Sequence, residues 1–206
     1  MRYLRTNRGF TLVELAIVLV IIGIILGAVL KGQELIYNAK VKRVQSQIKE
    51  FVAAFYTYYD KYGYYPGDDP AASARWSGAP NGNGNGLVEG GYCDTAGEES
   101  CILWRHLRYG NIISGDPADT TPATLLPKHA FGGNLDMFTG TYTVGGVTRS
   151  GLWITIRNIE AQAAAAIDRA MDDGKCTTGS IARYAGTACN GTDYPSSGYL
   201  DIWMNF

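Results

Sequence analysis

From Phe10 to Leu30 the chain reads FTLVELAIVLVIIGIILGAVL, 21 residues with a single charged side chain, Glu14. No polar face interrupts the run. Wound as a helix it reaches about 31 Å, enough to cross a hydrocarbon core of about 30 Å. Beyond it the pattern changes. Val41, Val44, Ile48, Phe51, Val52, Phe55, Tyr59 and Tyr62 recur mostly at steps of three and four, which predicts an amphipathic helix with one buried face. Neither proline nor a turn cluster separates the two stretches, so a single helix over Phe10–Tyr62 is expected, roughly 80 Å long. Gly63 supplies its stop, and Pro66 with Gly67 prevents resumption.

Shorter periods follow. Residues 67–100 read as loop, and Ser100–Tyr109 as a short amphipathic helix with Ile102, Leu103, Trp104 and Leu107 inward and His106 exposed. A connector spans Pro117 to Pro127. Strand-like segments lie near Leu135–Phe138, Thr141–Val144 and Val147–Ile156, with Gly145-Gly146 marking a two-residue hairpin. Asn158 is placed to cap an Ala-rich helix over Ile159–Met171, and Ser180–Tyr184 and Tyr199–Met204 read as final strands. The expected class is α+β: a long N-terminal helix packed on an antiparallel-sheet head with Gly-rich, disulfide-stapled loops.

Composition narrows the function. The 206 residues are 46% hydrophobic and 18% charged, which excludes a disordered polymer and supports one globular domain with an appendage. Twenty-six glycines without a three-residue period exclude a collagen-like chain. A formal net charge of −1 gives no bulk electrostatic case for a nucleic-acid partner. The four cysteines, Cys93, Cys101, Cys176 and Cys189, form no C-x-x-C pair, and with only two histidines a zinc site is poorly supplied. An even count among Gly-rich loops points to two disulfides and an oxidising compartment. Three connectivities are open; Cys93–Cys101 with Cys176–Cys189 closes the shortest loops.

The N-terminus carries the most specific signal. Arg2, Arg5 and Arg8 precede the apolar run, no A-x-A site follows it, and Glu14 sits in its first turns. A charge at a bilayer centre costs at least about 3 kcal/mol on insertion scales, so such residues usually have a partner. A cut between Gly9 and Phe10 would give Phe10 a free amine, with Glu14 four residues along. The plainer reading places Glu14 at headgroup level. Gly9-Phe10-Thr11-Leu12-Val13-Glu14 followed by the apolar run resembles the class III signal of type IV pilins and type II secretion pseudopilins. A weaker similarity extends to Tyr-Gly-Tyr-Tyr-Pro at 62–66.

That resemblance implies several things. A prepilin peptidase would cut after Gly9 and N-methylate Phe10, and Glu14 would pair with the amine of a neighbouring subunit. The chain would divide into a leader (1–9), a transmembrane and assembly helix (10–30), an amphipathic stem (31–65) and a periplasmic or extracellular head (66–206). Its partners would be the peptidase, other pilin or pseudopilin subunits and the inner membrane, crossed once with the N-terminus cytoplasmic. Losing Arg2, Arg5 and Arg8 with the leader takes the formal charge from −1 to −4. Many major pilins have a proline past mid-segment, which is absent here before Pro66. Gly23, Gly27 and Gly32 serve either as helix weakeners or, for Gly23-x-x-x-Gly27, as a close-packing face.

Other chemistry is thinner. Asn81, Asn83 and Asn85 alternate with glycines like the oxygen donors of a calcium loop, with Glu89, Glu98 or Glu99 as a carboxylate source. Position twelve is Tyr92, however, and neutral amides alone bind Ca²⁺ poorly, which favours a plain Asn/Gly loop. Asp168, Asp172 and Asp173 either hold a divalent cation or form a turn ahead of Gly174. Asn190-Gly191-Thr192 matches a glycosylation sequon. No G-x-S-x-G, H-E-x-x-H or Walker loop occurs, so no catalytic residue is assigned and no enzyme is expected. The aromatic tract from Phe51 to Tyr65 reads as packing between stem and head.

Overall fold

The computed structural model describes residues 10–206; the expected leader, 1–9, lies outside the described residues, and Gly9 with it. Helix α1 runs unbroken over Leu12–Tyr62. The chain forms two compact units, one ending at Ala39 and the other Lys40–Phe206. The division falls inside the expected stem, so residues 40–62 belong with the C-terminal unit.

In the first unit no described side chain is buried. In the second, α1 buries Val41, Val44, Ile48, Ala54, Phe55 and Tyr58. Tyr59 was expected on that stripe but is 42% exposed. From Phe55 the helical line continues at Tyr58, three residues on, whose Cβ stands on the same face. The helix ends as expected at Gly63, whose φ of +77° lets its N–H turn back to the Tyr59 carbonyl at 2.7 Å.

Between α1 and the sheet lie α2 (Ala72–Arg75), α3 (Glu99–Tyr109) and α4 (Pro122–Leu125). The single-turn helices α2 and α4 fall in segments read as loop and connector. Helix α3 holds its predicted span, but it is not amphipathic in effect. Nine of its eleven residues are buried, His106 completely. The expectation of an exposed His106 is overturned because α3 is covered on several sides. Trp104 meets Phe51 edge-on at 5.2 Å between ring centroids, His106 stacks on Tyr58 at 5.8 Å, and other residues face α4 and strand β1 (Leu135–Val144).

The sheet is antiparallel in the order β1-β2-β4-β3, with β2 Val147–Glu160, β3 Ile181–Gly186 and β4 Tyr199–Asn205. Strand β1 is one strand where the sequence suggested two. Val144 pairs with Val147, and Gly145 and Gly146 both take positive φ, as the two-residue turn requires. Both sheet faces are buried over the first half of β1, Leu135–Thr139, and the centre of β2, Leu152–Ile156. On one face Phe138, Trp153 and Trp203 cluster with Val144 and Ala182, and Tyr92 and Tyr142 pack against them. Burying each large apolar side chain contributes on the order of 1.5–3 kcal/mol.

Strand β2 runs further than predicted. Asn158 was expected to cap the next helix; instead it lies in a β-bulge between Ile156 and Ile159, at φ +56°, donating its N–H to Asp201 Oδ1 at 2.7 Å. Two residues oppose one there, and asparagine tolerates the left-handed backbone that the extra residue needs. Helix α5 therefore starts late, at Ala161, and ends at Met171. The disulfides join Cys93 to Cys101 and Cys176 to Cys189, the sequence-local pairing, each worth on the order of 2–4 kcal/mol.

Candidate processing and assembly site

At the start of α1, Thr11 and Glu14 hold each other. The Thr11 N–H and hydroxyl both donate to Glu14 Oε2, at 2.8 and 2.9 Å, and the Glu14 N–H returns to Thr11 Oγ1 at 3.2 Å. The Leu15 N–H closes the first turn on the Thr11 carbonyl. This is a capping box, with Thr11 at the N-cap and Glu14 three residues on. In the sequence Glu14 stands out as the lone charge of the apolar run, and Thr11 does not. The signal was present, since T-x-x-E before an apolar run is the written form of that cap. Phe10, the expected methylated residue, stands next to the cap and is 83% exposed.

After the cap, every large apolar side chain from Leu12 to Leu30 is between 46% and 86% exposed. Helix α1 is long and apolar enough at this end to cross a membrane by length and composition. It passes Gly23, Gly27 and Gly32 without a break, and nothing lies within 4 Å of where a Cβ would stand at any of them. Another helix could approach closely along the face that Gly23 and Gly27, four residues apart, share.

The other candidate residues lie in the second unit. Asn81, Asn83 and Asn85 turn their side-chain oxygens to the backbone, accepting the N–H groups of Ser73, Asn85 and Leu87 at 2.8, 2.9 and 2.8 Å. The Gly82, Gly84 and Gly86 amides point inward to the Asp69 carbonyl, the Asp68 carbonyl and Asp68 Oδ2, each at 2.9 Å. Gly82 is glycine of necessity, because a Cβ would overlap the Asp68 backbone. Asn83 Nδ2 reaches Glu89 Oε2, while Glu99 accepts the Asn83 and Glu89 N–H groups. Burial raises the Glu99 pKa. Glu89, Glu98 and Glu99 do line one open cavity with Asn81 and Asn83, but a cation there would have to displace these bonds.

Asp168, Asp172 and Asp173 each bring an oxygen within 4.8 Å of the others. Each is engaged by the chain itself. Asp168 accepts from the Gly174 N–H and the Tyr194 hydroxyl, Asp172 from the Ile181 N–H, and Asp173 from the Lys175 N–H and Thr178 hydroxyl. Burial pushes Asp168 up to about 6.

Both histidines are tied to backbone. His106 Nδ1 accepts the Gly67 N–H at 2.9 Å while Nε2 meets the Pro80 carbonyl at 2.8 Å, which fixes the neutral tautomer protonated at Nε2. Burial lowers its pKa to about 4. His129 meets the Arg157 carbonyl and the Phe131 N–H, and burial lowers its pKa too. Beside His106, the buried Asp69 carboxylate accepts the Tyr58 hydroxyl at 2.7 Å and pairs with Arg75.

A model of the prokaryotic N-terminal methylation motif matches residues 4–30. No curated protein and no solved structure matches the chain. The matched residues contain Gly9, Phe10, Thr11 and Glu14 and end with the exposed apolar run. That motif and the long apolar helix fit membrane anchoring.

Proposed function

We propose that this chain, which carries the type IV pilin and pseudopilin signal, is a structural subunit of a pilus or pseudopilus, and a minor one. A prepilin peptidase cuts after Gly9 and methylates Phe10. The chain then waits in the inner membrane with its N-terminus cytoplasmic and enters the filament through its first helix. One observation carries this reading: the apolar run from Leu12 to Leu30, continuous with the matched motif, is uncovered along its whole length while holding one carboxylate. Such a surface is stable only in lipid or among other helices. Head-to-tail repetition of one contact then builds an open filament.

Glu14→Ala tests it. Membrane insertion and leader removal should persist, and incorporation into filaments should be lost; normal incorporation removes the charge-pairing role. Gly9→Asp should leave the chain at full length, and a mature N-terminal Phe10 in its mass spectrum would contradict the cleavage site.

A tethered adhesin or substrate-binding module is the second reading, favoured by the exposed Gly-rich loops of the head. It predicts that the processed subunit captures a ligand without polymerising. An enzyme has less support, since both histidines are committed to backbone groups.

A further inference from the structure

Four Asn-Gly pairs occur in the chain: 81–82, 83–84, 85–86 and 190–191. Asn-Gly is the dipeptide most open to spontaneous cyclisation, because glycine has no Cβ to block its own nitrogen. The reaction needs that nitrogen free to leave its amide geometry and reach the asparagine Cγ. The fold treats the four pairs differently.

In the 81–86 loop each glycine N–H is held, to the Asp69 carbonyl, the Asp68 carbonyl and Asp68 Oδ2. Asp68 and Asp69 are themselves buried, so the acceptors do not move away. Each asparagine side chain is held as well, by the backbone N–H that its oxygen accepts. Attack would break two bonds at once in every pair. At 190–191 neither restraint exists. Asn190 through Asp193 are exposed, the Gly191 N–H donates to no group among the described residues, and the Asn190 side chain has no partner among them. Asn190 is tied only through its own N–H and C=O to Asp193, at 2.9 and 3.1 Å. Swinging the 190–191 peptide gives up only the longer, solvent-facing bond.

We propose that Asn190 is a site of spontaneous deamidation in the folded head, and that Asp68 and Asp69 protect the three pairs of the 81–86 loop. The Gly191 nitrogen gives up its proton and attacks Asn190 Cγ; as the N–Cγ bond forms the Cγ–Nδ2 bond breaks, and Nδ2 takes up a proton and leaves as ammonia. Water then opens the cyclic imide at either carbonyl to give aspartate or isoaspartate. The product carries a new carboxylate three residues from Asp193, which already pairs with Lys175 at 2.7 Å. It lies in the turn that receives the Cys176 N–H at Thr192 and adjoins the Cys189 disulfide.

The experiment is peptide mapping by mass spectrometry of the full chain in detergent, sampled over weeks at mildly alkaline pH. Asn190 should convert roughly tenfold or more faster than Asn81, Asn83 or Asn85, which is about 1.4 kcal/mol in barrier. An intact Asn190, or equal rates at all four, overturns the proposal. In the reduced, denatured chain the four rates should converge; if the native order persists there, it belongs to sequence and the protective role falls. Asp68→Ala removes the acceptor of the Gly86 N–H, so Asn85 should accelerate while Asn190 keeps its rate. No acceleration at Asn85 overturns the part given to Asp68.

Discussion

Up to Ala39 the described chain buries nothing, although it holds the most hydrophobic residues in the molecule, whereas from Lys40 onward even Asp68, Asp69, His106, Asp136 and Asp168 are buried. Apolar content therefore does not decide burial here. In the first unit Thr11 and Glu14 satisfy each other within one helical turn, as do Lys31 and Glu34, and the apolar surface is left to an outside medium. The second covers most of its apolar surface and supplies internal partners for its buried carboxylates. Asp136, for instance, accepts the Cys93 and Met137 N–H groups, while burial lifts its pKa to about 7. One unit is completed by other molecules, the other by itself.

Substitution should separate the two most sharply. Trp153→Ala removes a fully buried ring and should cost the second unit about 3–5 kcal/mol in chemical denaturation. Ile22→Ala in detergent should leave that midpoint in place, and a comparable loss would mean that the two units fold as one. Removing Cys176–Cys189 by a double serine substitution should cost about 2–4 kcal/mol, read in the same titration, with no effect on helix content before Ala39.

Acid gives the next test. His106 has its folded pKa below its unfolded value of about 6.5, so its contribution is complete above that pH. It declines as pH falls from there towards about 4, by up to about 1.4 kcal/mol per pH unit. Asp136 runs the other way: its raised pKa favours the fold at low pH and withdraws that support as pH climbs from about 4 to about 7. Asp136→Asn should therefore steepen the acid loss measured by denaturation, and an unchanged profile would show that the carboxyl ionises freely. The smallest effect belongs to Thr11→Val, which removes the cap hydroxyl for about 1 kcal/mol, visible as faster amide exchange in the first turn of α1 in micelles.

Local signals were legible and distant ones were not. The apolar run, the stop at Gly63, the Gly145-Gly146 hairpin and the short-range disulfides each depend on a few neighbouring residues, and each was read correctly. His106 was misplaced because its burial depends on Tyr58, Gly67 and Pro80, far from it in the chain. Asn158 looked like a cap because nothing local announces a bulge, which arises from pairing with β4. The alternation of Asn81, Asn83 and Asn85 left a calcium loop open beside the favoured plain Asn/Gly loop, and neither reading foresaw that the glycine amides are organised around Asp68 and Asp69. Two adjacent acids ahead of an Asn-Gly repeat were the available clue.

The two Thr11 donors converge on Glu14 Oε2, and no donor among the described residues reaches Oε1. The carboxylate is thus arrested in one orientation with half of its accepting capacity vacant. Freezing a free glutamate on contact would forfeit up to about 2 kcal/mol of rotamer freedom. On the pairing proposed above, that loss precedes the encounter, so an ammonium would meet an anion already aimed, and recognition would be both quick and choosy about angle.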